Sequence, residues 1–132
     1  MKKLVAFLLA DEANGFKRWK AEFKHLFRKD RIVVLFGSAL RNYEKANDID
    51  LLIAAANSDR EEIAKVLKER SEILPKKLHV IKVTRNELES NIKRKEEPIL
   101  DIVKTGIVLY GEDAYVEVLK NVAGNQAGKV VY

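Results

Sequence analysis

A chain of 132 residues with 47% hydrophobic and 34% charged residues has the size and apolar content of one globular domain. It has no cysteine, which excludes disulfides and cysteine-ligated zinc, and its two histidines, His25 and His79, are too few for a zinc site by themselves. No run reaches the ~18–20 apolar residues of a membrane helix, so the expected location is the cytoplasm, with no membrane partner.

Met1 to Ala10 begins with two nearby lysines followed by seven apolar or small residues. It has the outline of a signal peptide but lacks a clear A-x-A site before Asp11-Glu12, and the expectation is a short helix over residues 1–13 that docks on the domain. Asn14 to Lys29 places Phe16, Trp19, Phe23, Leu26 and Phe27 on one apolar stripe, the period of an amphipathic helix capped by Asn14 or Gly15. Residues 15–31 hold seven bases (Lys17, Arg18, Lys20, Lys24, Arg28, Lys29, Arg31) against Glu22 and Asp30, an excess equal to the whole net charge of +5. Such a face suits nucleic acid, an acidic partner or nucleotide phosphates. Its plainer reading is a solvated helix face.

Ile32-Val33-Val34-Leu35-Phe36 is an uncharged apolar run, the mark of a strand covered on both faces. Gly37-Ser38 ends it. Glycine opens backbone conformations closed to other residues and permits a close ligand approach. A helix starting there would aim free N–H groups and the Ser38 hydroxyl at one spot, which suits a phosphate. Nine residues separate Ser38 from Asp48-Ile49-Asp50-Leu51-Leu52-Ile53, a second strand. Alternation puts Asp48 and Asp50 on one face, with Cα atoms roughly 6.5–7 Å apart. Two carboxylates so spaced can share a hard cation, and Mg²⁺ binds through one or two carboxylates plus substrate phosphates. The plainer reading of these residues is a solvated strand entrance and a helix N-cap.

Further on, Ser58 and Glu61 fit a capping box for a helix from about Asp59 to Ser71, with Ile63, Val66 and Leu67 inward and Pro75 beyond it. Leu78 to Thr84 reads as a third strand with His79, Ile81 and Val83 on one face. Arg85 to Lys95 and a segment from Pro98 to about Thr105 read as helices, Gly106 as a stop and Ile107 to Tyr110 as a short strand. Asp113 to Asn121 is expected as a last short helix, and residues 122–132 as a flexible tail or an edge strand. No repeat or linker marks a second domain.

The pattern Gly37-Ser38, nine residues, Asp48-Ile49-Asp50 resembles the nucleotidyltransferase core of the DNA polymerase β superfamily. It looks most like the minimal nucleotidyltransferases of archaea and bacteria, whose wording is G-S-x-A-R-G, a short loop, then S-D-I-D-L. Gly37, Ser38, Arg41, Asp48, Ile49, Asp50 and Leu51 match that wording. Leu40 stands where alanine is usual, Asn42 where glycine is, Asn47 where serine is, and the loop is about one residue shorter than the commonest form. Glu97 to Leu100 and Gly106 to Asp113 are also similar to the end of such proteins, so the resemblance covers roughly residues 15–120 of a single domain.

The resemblance implies an α/β (α+β) fold with a small mixed sheet flanked by helices. It implies that Gly37 and Ser38 hold a triphosphate, ATP first among candidates. Arg41 would meet phosphate or brace the loop, and the catalytic pair Asp48 and Asp50 would hold Mg²⁺. A third acid is common on the following strand, but Leu78–Thr84 has none. The nearest candidate is His79, as base or metal ligand, with Glu87 or Glu89 folding back as a weaker choice. The implied activity is Mg²⁺-dependent transfer of a nucleoside monophosphate to a hydroxyl. The acceptor could lie on a partner protein such as a HEPN-type toxin, in an antitoxin-like role. The missing acid sustains an alternative, a module that binds nucleotide or a partner without turnover. The basic stretch sustains another, a nucleic-acid-binding accessory protein.

Overall fold

The computed structural model describes the backbone of residues 17–130 and the side chains of residues 17–124. Helix α1, residues 17–23, closes through a 3₁₀ turn at Lys24–Leu26. Strand β1, Ile32–Phe36, is followed by a one-turn helix α2, Ser38–Arg41, and strand β2, Asp48–Ala54. A 3₁₀ turn at Asn57–Asp59 leads into α3, Arg60–Ile73, then strand β3, Lys77–Val83. Helices α4, Arg85–Lys93, and α5, Glu97–Thr105, precede strand β4, Ile107–Tyr110, and α6, Glu112–Val130.

The strands form one sheet in the order β3-β2-β1-β4. β1 pairs antiparallel with both β2 and β4, whereas β2 and β3 are parallel. Parallel neighbours need a crossover, and α3 supplies it. The architecture is thus the expected small mixed sheet flanked by helices. Because β1 is central and covered on both faces, its apolar run has no solvent side to make polar. Ile32 through Leu35 are all buried. Val33, Leu35, Ile49, Leu51 and Ile53 face Phe23, Leu26 and the α3 residues Ile63 and Leu67. Ile32, Val34, Leu52 and Ala54 face Leu88 and Ile92 of α4, Ile99 and Ile102 of α5, and Val118 and Val122 of α6. Each large aliphatic side chain so covered contributes about 1.5–3 kcal/mol over its exposed state.

Several boundaries differ from expectation for identifiable reasons. Ser58 and Glu61 form no capping box. Residues 57–59 wind as 3₁₀, Asp59 becomes the N-cap, and no side-chain cap bond is made there. The box forms at α4 instead, where Thr84 Oγ1 accepts from the Glu87 N–H at 3.1 Å and Glu87 Oε1 accepts from the Thr84 N–H at 3.0 Å. The first amphipathic segment leaves α-geometry at residue 23 rather than at Lys29. Its expected caps Asn14 and Gly15, the stripe residue Phe16 and the helix over 1–13 lie outside the described residues. α6 runs on to Val130, so residues 122–130 continue a helix rather than adding a strand. Two glycines cost about 1 kcal/mol each in a helix interior, but no proline breaks the run.

Candidate functional site

Gly37 turns the chain at the end of β1 with φ +82°, a conformation that side chains oppose. A Cβ there would stand 2.2 Å from Asp50 Oδ2. The bare backbone of Gly37 therefore lies directly against the Asp50 carboxylate, and this contact fixes which residue the turn can hold. Phe36 is the register partner of Asp50 across the antiparallel pair. Ser38 starts α2, and its carbonyl accepts from the Asn42 N–H at 2.8 Å. α2 is only four residues long, so little helix dipole stands behind the turn.

Asp48 and Asp50 are half-buried on the same face of β2, with Ile49 buried between them on the other. Asp48 makes no side-chain hydrogen bond or ion pair among the described residues. Asp50 faces His79, its register partner in the parallel pair. His79 Nδ1 lies 3.1 Å from Asp50 Oδ1, with the His79 side chain 70% exposed and that of Asp50 17%. Gly37, Asp50 and His79 are thus brought together, with Ser38 and Asp48 adjacent in the chain. Arg41 is exposed at the end of α2 and makes no side-chain hydrogen bond or ion pair among the described residues.

Glu87 and Glu89 do not reach this place. Glu87 lies beyond Val83, the register partner of Ala54, at the opposite end of β3 from His79. There it caps α4, and the Thr84 backbone and hydroxyl hydrogen bonds hold its carboxyl below the ordinary value of 4.5. Glu89 accepts from Asn121 Nδ2 at 3.0 Å. No three His, Asp or Glu side chains are grouped to hold an ion unaided among the described residues. Two carboxylates on one strand face suffice for a cation that also takes phosphate oxygens. The residues fit a divalent metal in that sense.

The loop between α2 and β2 is held from outside. Lys76 Nζ donates to the Ala46 carbonyl at 2.5 Å and sits 4.5 Å from the centre of the Tyr43 ring. Arg18 also stacks on Tyr43, at 5.3 Å, and Trp19 meets it edge-on at 5.6 Å. Sequence reasoning missed this clamp, since Lys76 looks like one more loop lysine. It also missed Arg31, which is 1% exposed. Arg31 Nε donates to Asp59 at 3.3 Å, its Nη1 to the Leu26 carbonyl at 3.1 Å, and its Nη2 to Glu62. Glu62 also pairs with Arg28 at 3.1 Å. The basic stretch of residues 15–31 therefore does not present seven free cations. A cavity of about 600 Å³ lies at this same end, between Lys29, Arg31, Arg85, Gly111 and Glu117. It is away from Asp50, and Arg85 and Glu117 pair there at 3.4 Å.

Residues 21–115 match the family model described as Polymerase beta, Nucleotidyltransferase. No curated protein matches the sequence. A solved structure described as "Crystal structure of the toxin-antitoxin with AMP-PNP" is similar over 87% of this chain and 90% of that chain, at 18% identity and a TM-score of 0.49.

Proposed function

Because the chain belongs to the polymerase β nucleotidyltransferase family, we propose that it transfers a nucleoside monophosphate from a nucleoside triphosphate, ATP first among candidates, to a hydroxyl acceptor. The observation that carries this reading is the contact of the Gly37 backbone with the Asp50 carboxylate, on the strand face shared with Asp48. Asp48 and Asp50 would hold a divalent cation, with Mg²⁺ the abundant choice. Such an ion, when bound, neutralises triphosphate charge and orients the leaving pyrophosphate. Gly37, having no side chain, lets the Asp50 carboxylate sit directly against the turn. The Ser38 hydroxyl stands at the same turn as a hydrogen-bonding group. Arg41, with no partner of its own among the described residues, supplies a mobile positive charge for a phosphate oxygen. The Lys76 contact with Ala46 steadies the segment that delivers Asp48 into β2.

The resemblance to minimal, antitoxin-like members makes a hydroxyl on a HEPN-type toxin the first acceptor to try. The test is incorporation of label from α-labelled ATP, GTP, CTP and UTP with Mg²⁺, comparing wild type with Asp48→Ala and Asp50→Ala. Label above the variant background is expected. Equal label in wild type and both variants, with every acceptor tried, would refute the reading.

One observation favours a second reading, binding without turnover. β3 carries His79, not an acid, opposite Asp50. Under that reading, calorimetry registers metal-dependent nucleotide binding while pyrophosphate is never released.

A further inference from the structure

We propose that Lys77 binds the outermost phosphate of the nucleoside triphosphate, an inference that rests on the reading of Asp48 and Asp50 as the pair that holds the cation. Lys77 opens β3 as Asp48 opens β2, and the two are register partners across the parallel pair. Register partners share a face of the sheet, on strands roughly 4.7–4.9 Å apart. On the next rung inward, Asp50 and His79 bring their side chains to 3.1 Å, so this register does set neighbouring side chains together. Lys77 therefore rises on the face that carries both carboxylates.

Its root is fixed and its tip is free. Lys76, the residue before it, is tied to the Ala46 carbonyl and to the Tyr43 ring. Lys77 itself is exposed and makes no side-chain hydrogen bond or ion pair among the described residues. Asp48 makes none either, although the lysine stands beside it. An adjacent carboxylate and ammonium that leave each other free suit a ligand carrying both signs, a cation together with the phosphates it bridges. Both strands begin at this rung, so it is the outer one. A triphosphate whose metal lies at the two carboxylates, extending outward along this face, brings its last phosphate to Lys77.

β3 is an edge strand, and lysines on an edge also discourage pairing with another chain. Lys82 shares that role. It is exposed on the same strand but alternates to the opposite face, in register with Ile53, and lines a small cavity at the far end of the sheet with Asn57 and Arg60. Lys82 is therefore the control for edge protection alone.

The test is calorimetry on the full chain with Mg²⁺. ATP, GTP, CTP and UTP are screened, and the tightest is compared with its own diphosphate on wild type, Lys77→Met, Lys77→Arg, Lys82→Met and Asp50→Ala. Wild type is expected to prefer the triphosphate. Lys77→Met should weaken triphosphate binding about fivefold or more, as loss of one charge-assisted contact does. It should also shrink the preference over the diphosphate at least threefold, while Lys77→Arg keeps most of both and Lys82→Met changes neither. An unchanged preference in Lys77→Met, or the same loss in Lys82→Met, would overturn the proposal. If Asp50→Ala still abolishes binding in that case, the carboxylate site stands and only the part of Lys77 falls. If wild type binds none of the four triphosphates, both readings fall together.

Discussion

The two ends of the sheet handle charge in opposite ways. At the Gly37 end, Asp48 has no protein partner among the described residues, Asp50 meets only an exposed histidine, and Arg41 is uncommitted. At the Arg31 end, several charges pair with one another. Arg31 binds Asp59, Glu62 and a carbonyl, Arg28 binds Glu62, and Arg85 binds Glu117. Half-buried carboxylates left without a counter-charge are costly unless something external supplies one. The cavity of about 600 Å³ lies at the Arg31 end, where Lys29, Asp30, Glu112 and Asp113 also line it. The half-buried carboxylate without a protein partner lies instead at the Gly37 end.

The contrast can be broken from either side. The largest effect is expected for Gly37→Ala, because the new methyl must occupy the space of Asp50 Oδ2 at a backbone angle it resists. Nucleotide affinity should fall at least tenfold by calorimetry, with about 1–3 kcal/mol lost in urea unfolding from backbone strain. Preserved affinity would mean the turn and carboxylate do not act together. Arg31→Met should do the reverse, leaving nucleotide binding intact. It should lower stability by about 2 kcal/mol, less than the ~3–5 kcal/mol of a fully buried pair because Asp59 and Glu62 stay about a third exposed. A loss of binding in that variant would join the two ends that the comparison separates.

Smaller effects sharpen it. Lys76→Met removes a charged hydrogen bond and a cation–π contact from the loop before β2. About 1 kcal/mol of stability should go, and nucleotide affinity should drop two- to threefold. An affinity unchanged within error would leave the clamp a purely structural one. Glu87→Gln keeps the acceptor of the capping box and removes its charge. The Glu87 carboxyl is depressed in the fold, so its contribution is present above the ordinary carboxylate range and is lost as pH falls through the folded value. Thermal melts should therefore place wild type slightly above the variant at neutral pH, and the gap should close in acid. A gap that widens in acid would contradict the capping assignment.

The strands were legible because their patterns leave few options. An uncharged five-residue run must be covered on both faces, and Asp48-Ile49-Asp50 can only alternate. The same alternation put His79 on a face with Ile81 and Val83, and register then set it opposite Asp50. Competing local choices were less legible. Ser58/Glu61 and Thr84/Glu87 carry the same capping spacing, and only the second forms, because Asp59 is drawn toward Arg31 while residues 57–59 tighten into 3₁₀. Arg31 itself had one faint signal, a base next to an apolar run followed by Asp59 and Glu62 three positions apart. Their convergence depends on how α3 crosses the sheet, which no local window contains.

The pairing of β1 with β4 also bears on synthesis. β1 sits between β2, close behind it in sequence, and β4, from which residues 37–106 separate it. A growing chain can zip β1 to β2 early, yet Val33 to Leu35 keep an open edge until Tyr110 has left the ribosome. For most of translation the most apolar strand of the protein is a half-paired, adhesive ribbon. Truncations that stop short of Ile107 should therefore accumulate in aggregates, even though they retain every residue of the Gly37–Asp50 turn.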